Sequence, residues 1–244
     1  MQVSQLWRYP FKSAQGAPAA SLELASGGVV GDRHWALIDA GGRLCSAKRY
    51  SKLLLATGRD DGALALDDGT VLTDDSEFSE WLHTAVHRAE IDADAQVEYE
   101  MTFEPPNDDA EYYAIPAPPG RFVDLADVHI VASSTLAHLA SARPDLDWDV
   151  RRFRPNIVVE TDPESEPFVE ASWVGREIAV GEARVRVDQE TVRCAMPLRA
   201  QPGGLERQAE MFHAMDAAHA NHVGVYCTVV QPGIVPIGGR VTFD

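Results

Sequence analysis

Apolar residues alternate with polar ones in many short runs along the chain, which is the period-two pattern of β-strands with one buried face. The clearest run is Ala183-Arg184-Val185-Arg186-Val187, which Gly181-Glu182 joins to residues 178–180 as a predicted hairpin. The other runs that predict strands are residues 3–7, 20–24, 35–39, 43–47, 53–56, 63–66, 71–72, 128–132, 157–159, 223–230 and 241–243. Glycine-rich turns separate many of these runs. The pattern therefore predicts a mostly β protein with a few helices, in the α+β class.

Apolar residues follow helical spacing in three segments. The predicted helices, with their capping residues, are 78–86 after Asp75 or Ser76, 136–139 after Ser133 or Ser134, and 205–220. His83 and His87 stand four positions apart on the first of these helices, a spacing that suits a metal ion. Because no third ligand accompanies them, we expect a solvent-facing histidine pair there.

A stretch rich in proline and acidic residues divides the chain near its middle. It holds Glu104-Pro105-Pro106-Asn107-Asp108-Asp109 and then Pro116-Ala117-Pro118-Pro119-Gly120. Such a composition buries little apolar surface and favours a long surface loop. We therefore predict two domains, residues 1–101 and 121–244, joined by a linker over residues 102–120.

Composition narrows the class of protein. The 244 residues carry a formal charge of −17, which argues against a general nucleic-acid surface. The sequence shows neither the apolar span of a membrane helix nor the basic and apolar start of a signal peptide. Three widely spaced cysteines give no disulfide framework. We expect a cytoplasmic protein that binds neither nucleic acid nor a membrane.

The cations are distributed unevenly. The three lysines, Lys12, Lys48 and Lys52, all lie in the first quarter of the chain. Arginines recur at residues 33, 49, 151, 152, 154 and 193. If these segments converge, they form a cationic pocket on an acidic protein, which would suit a small phosphorylated anion.

Cys194 is the candidate for reactive chemistry. It lies just beyond the predicted strand 183–187, directly after Arg193. A neighbouring guanidinium favours the thiolate, which is the form that binds soft metals or carries sulfur. The alternative is a buried cysteine that packs as a small apolar residue. Cys45 and Cys227 lie in predicted strands, and we expect both in the core.

Short motifs in a fixed order run along almost the whole chain. They are Tyr9-Pro10-Phe11-Lys12-Ser13, Gly31-Asp32-Arg33-His34-Trp35, Ser46-Ala47-Lys48-Arg49, Phe122-Val123-Asp124, Ser134-Thr135-Leu136-Ala137-His138-Leu139, Phe153-Arg154-Pro155-Asn156-Ile157-Val158, Arg193-Cys194, Gly224-Val225-Tyr226, Pro232-Gly233-Ile234 and Ile237-Gly238. Their succession resembles the molybdenum cofactor sulfurase C-terminal (MOSC) superfamily. The nearer likeness is to its two-part members, which include the mitochondrial amidoxime-reducing component and its bacterial relatives. The resemblance implies a MOSC β-barrel domain preceded by a smaller N-terminal β-barrel-like domain.

The resemblance also implies a bound cofactor, molybdenum held by a pyranopterin of the molybdopterin type. Cys194 would be both the protein's metal ligand and the catalytic residue. Lys12, Ser13 and Arg33 would hold the pterin phosphate. Asp124, Arg154 and Asn156 would hold the pterin itself. Without the family context, each of these residues has a structural alternative, such as a surface lysine, a paired turn arginine or a turn asparagine.

The implied activity is that of a molybdenum-dependent oxidoreductase which reduces N-hydroxylated or N-oxide compounds. We expect an external electron donor, such as a ferredoxin or a flavin reductase, because the chain shows no dinucleotide fingerprint. Thr191-Val192 stand where many relatives have a cysteine and a serine, so the small-molecule substrate stays open. The alternatives are sulfur transfer through a Cys194 persulfide, a non-enzymatic carrier of the cofactor, and a fold that has lost the metal.

Overall fold

Strands make up most of the regular structure in the computed structural model, which describes residues 1–92, 94, 96–105, 107, 110–162 and 164–243. The strands in chain order are β1 Gln2–Arg8, β2 Ala17–Pro18, β3 Ser21–Ala25, β4 Gly28–Val29, β5 Trp35–Asp39, β6 Arg43–Leu44, β7 Ala56–Gly58, β8 Leu64–Leu66, β9 Val71–Leu72, β10 Val86–Glu90, β11 Glu98–Met101, β12 Tyr113–Pro116, β13 Val128–Ala132, β14 Ile157–Glu160, β15 Glu177–Val180, β16 Ala183–Val192, β17 His222–Gln231, β18 Gly233–Pro236 and β19 Val241–Phe243. The α-helices are α1 Asp75–Leu82, α2 Ser133–Ala142 and α3 Glu210–His219. Short 3-10 helices cover Ser51–Leu55, Val150–Arg152, Val169–Trp173 and Met196–Leu198. The predicted fold class, mostly β with a few helices, is confirmed.

The largest sheet has eight strands in the order β19-β15-β16-β17-β13-β14-β1-β2. Neighbouring strands in this sheet are antiparallel, except for β13 and β14. These two are parallel and are joined by a connection that contains α2. The alternation that predicts β16 fits its burial, because Val185 and Val187 are fully buried while Arg184 and Arg186 are not. The buried face of this sheet forms the main apolar cluster, with Trp173 and Ile178 among its members.

Strand pairing crosses the predicted domain boundary. Strand β1 pairs with β14, and β3 pairs with β18, so the first 25 residues share sheets with the second half of the chain. The segment for which we expect a linker, residues 102–120, contains β12, which pairs with β11. Part of that expected linker, residues 106, 108 and 109, lies outside the described residues. The division into 1–101 and 121–244 stays a prediction.

The first half of the chain also forms a separate core beside the large sheet. A five-stranded sheet has the order β10-β5-β6-β11-β12, and β7, β8 and β9 form a small meander. Phe11 and Phe78, both fully buried, pack in the apolar cluster under these strands. Phe11 is the residue directly before Lys12, so this packing fixes the backbone that carries the first candidate site residue.

Several predicted elements are wrong in extent. Helix α1 ends at Leu82 rather than at Val86, because the Ser79 hydroxyl bonds both the N–H and the C=O of Val86 and starts β10 there. His83 and His87 therefore do not share a helix, and both side chains are exposed. Residues 51–55 form a 3-10 helix instead of a strand, and the strand predicted at 43–47 is only two residues long.

The two other helices also differ from the predictions. Helix α2 has no side-chain cap from Ser133 or Ser134, because the Thr161 hydroxyl accepts the Ser134 N–H from outside the helix. Helix α3 begins at Glu210 rather than at 205, since Leu205 forms a β-bridge with Gln201. Within the described residues, none of the helices combines the length and apolar content needed to cross a bilayer.

Candidate functional site

A cavity of about 100 Å³ lies where the two halves of the chain meet. All seven residues that the sequence singles out line it, namely Lys12, Ser13, Arg33, Asp124, Arg154, Asn156 and Cys194. They come from loops that follow or precede strands of both halves of the chain, such as the bend after β1 and the end of β16. The fold thus brings together residues that are distant in sequence, although their roles stay predictions.

Cys194 lies on the wall of this cavity, two residues beyond the end of β16. Its backbone is held because Arg193 donates its N–H to the Asn221 carbonyl, and the Asn221 side-chain amide donates to the Arg193 carbonyl at 2.7 Å. Cys194 is partly exposed, whereas Cys45 and Cys227 are buried in apolar clusters. The expectation for those two cysteines is confirmed, and the buried alternative for Cys194 is wrong.

Asp124 lies between two lysines. Its carboxylate accepts hydrogen bonds from the Lys12 ammonium at 2.5 Å and from the Lys48 ammonium at 2.7 Å. Burial alone would raise the pKa of Asp124, but the two ammonium groups outweigh it and hold that pKa well below its usual range. Burial lowers the pKa of Lys12, while Asp124 keeps the pKa of Lys48 above its usual value despite burial. Asp124 is therefore a fixed anion and a poor proton donor.

Two arginines contact the ring of Tyr9. The guanidinium carbons of Arg33 and Arg154 lie 4.5 and 4.3 Å from the Tyr9 ring centroid. Arg33 is also paired with Asp32, and Arg154 donates to the Ala14 carbonyl at 2.5 Å. Burial, with the nearby charge of Arg33, lowers the pKa of Arg154 to about 10. Both arginines are therefore cationic at neutral pH and have fixed positions.

The backbone at the cavity adopts conformations that most residues avoid. Ser13, Arg33 and Arg154 have φ values of 66°, 47° and 54°, in the left-handed region that favours glycine. Each such residue costs of the order of 1 kcal/mol or more and persists only where surrounding contacts determine it. Three of the seven described non-glycine residues with positive φ thus lie at the cavity, and strained backbone of this kind often occurs at functional sites.

Asn156 lines the cavity, but its side chain is already engaged with the backbone. Its carbonyl oxygen accepts the His129 N–H at 3.2 Å, and its amide nitrogen donates to the Trp7 carbonyl at 3.4 Å. The amide therefore joins β1 to β13, which is a structural role other than the turn asparagine that the sequence left open. Ser13 has a similar second role, because its hydroxyl accepts the Ala47 N–H at 3.0 Å.

The site contains residues that are not among the seven predicted ones. Arg193, His129 and Tyr226 line the cavity, and Lys48 completes the Asp124 cluster. Burial, and next Arg193, lower the pKa of His129 well below its usual value, so this imidazole is neutral. Arg193, Tyr226 and Lys48 belong to the ordered motifs, which is the signal that could have identified them. No sequence pattern marks His129.

The cavity is cationic on an acidic chain. Among the described lining residues, Lys12, Arg33, Arg154 and Arg193 are positive, and Asp124 is negative. Such a group of buried cations favours a bound anion. A thiol, guanidinium and ammonium donors, and one carboxylate together match the groups of a molybdenum-bearing pterin phosphate, namely a soft metal, a phosphate and a polar ring edge. The donor set fits this cofactor.

The described part of the chain is strand-rich, and a thiol and a group of cations line a cavity where its two halves meet. Two protein-family models match the chain. The MOSC domain matches residues 119–242, and the MOSC N-terminal beta barrel domain matches residues 1–103. The chain belongs to the MOSC domain family, a family associated with the molybdenum cofactor.

Individual relatives agree with this assignment. The chain is 23% identical over 282 residues to mitochondrial amidoxime-reducing component 1 of Homo sapiens, across 98% of this chain and 82% of that protein. The crystal structure of the YUAD protein from Bacillus subtilis superposes with a TM-score of 0.50 at 14% identity, covering 98% of this chain and 93% of that one. The second likeness supports the fold alone. The resemblance predicted from the ordered motifs is confirmed.

Proposed function

We propose that this protein is a molybdenum-cofactor-dependent oxidoreductase that reduces N-hydroxylated or N-oxide compounds. The single observation that carries the proposal is the position of Cys194 on the wall of a cavity lined by four cations. The human relative, named as an amidoxime-reducing component, supports this class of substrate. A bound molybdenum cofactor would supply a two-electron change at the metal, which is the chemistry that oxygen removal from nitrogen requires.

In this proposal Cys194 acts as the protein's thiolate ligand. Its short connection to β16 and the paired hydrogen bonds between Arg193 and Asn221 fix the position of the sulfur. A fixed ligand with ordered surroundings is what tunes a metal site. Arg193 is itself held by its bond to the Phe153 carbonyl at 2.9 Å, so this cation of the cavity wall has a fixed position too.

The cations would hold the anionic part of the cofactor. Lys12, Ser13 and Arg33, which all come from the first half of the chain and line the cavity, would bind the phosphate. Asp124, Arg154 and Asn156 would bind the pterin edge, with Asp124 accepting hydrogen bonds as a permanent carboxylate. Because its pKa is far below neutral, Asp124 does not supply the protons that reduction consumes. Removing the oxygen as water takes two protons and two electrons. The protons would come from solvent, and the electrons would come from an external ferredoxin or flavin reductase.

The test is to produce the protein in cells that make the cofactor and to measure molybdenum and pterin in the purified chain. We expect about one molybdenum per chain in the wild type, reduction of benzamidoxime with an artificial electron donor, and neither in Cys194→Ala. Cys227→Ala is the matched control, because Cys227 is a thiol buried in the main sheet, away from the cavity. Circular dichroism checks that both variants fold.

Other outcomes support other functions. If Cys194→Ala retains molybdenum, Cys194 is not the metal ligand. Bound molybdenum without turnover, together with easy release of the cofactor to an acceptor enzyme, would favour a carrier. Cyanide-labile sulfur on a metal-free chain would favour a Cys194 persulfide and sulfur transfer. A metal-free chain without such sulfur would contradict the proposal and would favour a fold that has lost the metal.

A further inference from the structure

Two large apolar side chains are exposed at the cavity. Leu125 and Val192 line it, yet 52% of Leu125 and 53% of Val192 are accessible to solvent. Among the described large apolar residues, only Phe103 is more exposed. A single exposed apolar residue is ordinary, but two beside the same cavity are informative, because such surface marks binding sites.

Their positions relate them directly to the candidate chemistry. Leu125 follows Asp124, and Val192 precedes Arg193 and Cys194. Val192 is the last residue of β16, and its neighbours Thr191 and Arg193 are buried. Because side chains alternate along a strand, Val192 points away from the interior where its neighbours are held. The cavity thus has a cationic interior and an apolar rim, formed by Leu125 and Val192.

We propose that the apolar rim, Leu125 and Val192, selects substrates in which a large apolar group, such as an aryl ring, adjoins the N–O function. This inference rests on the proposed function. The polar N–O group would enter the cationic interior beside Cys194, and the apolar group would cover the rim and remove its surface from water. A substrate without that group would leave the rim exposed and would gain nothing from it.

Two ligands that share the same N–O group but differ in apolar size test the rim. Benzamidoxime and acetamidoxime are titrated by calorimetry into the oxidised, cofactor-loaded protein, without an electron donor, so that binding is measured without turnover. The variants are Val192→Thr and Leu125→Asn, which keep the number of side-chain heavy atoms but make the rim polar. Val230→Thr is the matched control, a strand valine with 39% exposure outside the cavity.

Each rim variant is expected to weaken benzamidoxime binding about fourfold, the equivalent of one buried methylene group. Acetamidoxime binding should change less than about twofold on the same scale, and Val230→Thr should change neither. Equal weakening for both ligands, or no change for benzamidoxime, would overturn the inference. The inference would also be overturned if the rim variants bound both ligands as the wild type does but lost reduction only when a protein donor supplies the electrons. The rim would then be a docking surface for the donor.

The failure of the rim can be told apart from the failure of the proposed function. A wild type that holds molybdenum and reduces both amidoximes, but binds them with equal affinity, overturns the rim alone. A wild type that holds no molybdenum overturns the proposed function, and the rim with it.

Discussion

Lys12 and Asp124, which are 112 positions apart, form an ion pair with 2.5 Å between Nζ and Oδ1. The same ammonium donates to the Phe122 carbonyl at 2.7 Å. One lysine from the bend after β1 therefore holds the backbone and the side chain of the segment that enters the second half of the chain. The cavity wall at 122–124 depends on this contact, so the site and the junction of the two halves form together.

Replacing Lys48 with methionine tests the second cation at Asp124. The Asp124 carboxylate would keep Lys12 but lose the 2.7 Å bond from Lys48, and its pKa would rise. Since Lys48 is buried and Asp124 is partly exposed, we expect a loss of about 1–3 kcal/mol in the free energy of unfolding, less than for a fully buried pair. Urea denaturation measures it.

Lys52→Met is the control for that experiment. Lys52 donates to the Trp81 carbonyl outside the cavity and has no carboxylate partner among the residues that the structure describes. We expect Lys52→Met to cost less than about 1 kcal/mol, the usual value of an exposed polar contact. Equal losses in the two variants would show that Asp124 does not depend on Lys48.

The neutral state of His129 predicts a pH dependence of stability. His129 is buried, and it lies near the cations Arg193 and Arg33 and against the neutral ring of Tyr226. Burial first, and then the two cations, lower the pKa of His129 far below that of an unfolded histidine. Below about pH 6.5 the unfolded state binds a proton that the folded state does not, so stability falls as pH falls, by at most about 1.4 kcal/mol per pH unit. Urea denaturation from pH 7.5 to 5.5 measures the slope.

His129→Gln should flatten the dependence of the unfolding free energy on pH. The quantity to compare is the difference between the slopes of the variant and the wild type. Glu170, a carboxylic acid whose pKa burial raises, contributes the opposite slope, because its folded form keeps a proton that the unfolded chain loses. Both proteins retain Glu170, so its contribution cancels in the difference. An identical slope in the two proteins would mean that His129 titrates normally.

Local patterns were sufficient to predict the strands but not all of the site. Alternation predicts β16 and β17 because one face of each is buried in the main sheet, and that signal depends only on nearby residues. The helix over 78–86 was wrong because Ser79 bonds Val86, a contact that spacing alone does not contain. Tertiary contacts override local preference at such ends.

The ordered motifs of the family are what identify the seven candidate site residues, and spacing alone could not have done so. Asn156 shows the limit of that inference. Its motif marks the residue, but only the structure shows that its amide bonds the backbone of Trp7 and His129. His129 itself carries no motif, since its role comes from the contact with Arg193 across two strands.

Arg152 braces the loop that follows Cys194. It is fully buried and donates to the carbonyls of Pro197, Arg199 and Glu206. Arg152→Met leaves those carbonyls without their donor, so we expect a loss of about 2–4 kcal/mol in the free energy of unfolding. Hydrogen exchange should show faster exchange of the amides in residues 198–208.

The neighbouring arginine provides the control. Arg151 is partly exposed and pairs with Asp149 at 2.7 Å, and it also donates to the Pro202 carbonyl. Arg151→Met should therefore cost about 1 kcal/mol or less and leave most of the loop protected. Comparable exchange in both variants would argue against a bracing role for Arg152.

Gly224 leaves room for His129 in the cavity wall. A Cβ added at Gly224 would lie 2.4 Å from His129 Nε2 and 2.7 Å from the Ile130 carbonyl oxygen. Gly238 has a similar φ of +75° but no atom within 4 Å of such a Cβ. Gly238→Ala should cost only the left-handed strain of about 1–2 kcal/mol. Gly224→Ala should lose about 1–3 kcal/mol more from overpacking. Equal losses in thermal or urea denaturation would contradict the close packing.

Thiol labelling separates Cys194 from the two core cysteines. Burial raises the pKa of Cys45 to about 12 and raises that of Cys227 as well, so neither thiol supplies thiolate at neutral pH. Cys194 is partly exposed on the cavity wall. We therefore expect Ellman's reagent to react with one thiol per folded chain and with all three after unfolding.

Peptide mass spectrometry should place the fast-reacting thiol at Cys194, and Cys194→Ser should leave the folded chain unreactive. Bound molybdenum cofactor should protect Cys194, because a metal-ligating sulfur cannot attack the reagent. Labelling of Cys194 at the same rate in loaded and cofactor-free protein would mean that this sulfur does not ligate the metal. The cavity and its cations would be intact in that case. The result would then contradict the role of Cys194 as a metal ligand without contradicting its position on the cavity wall.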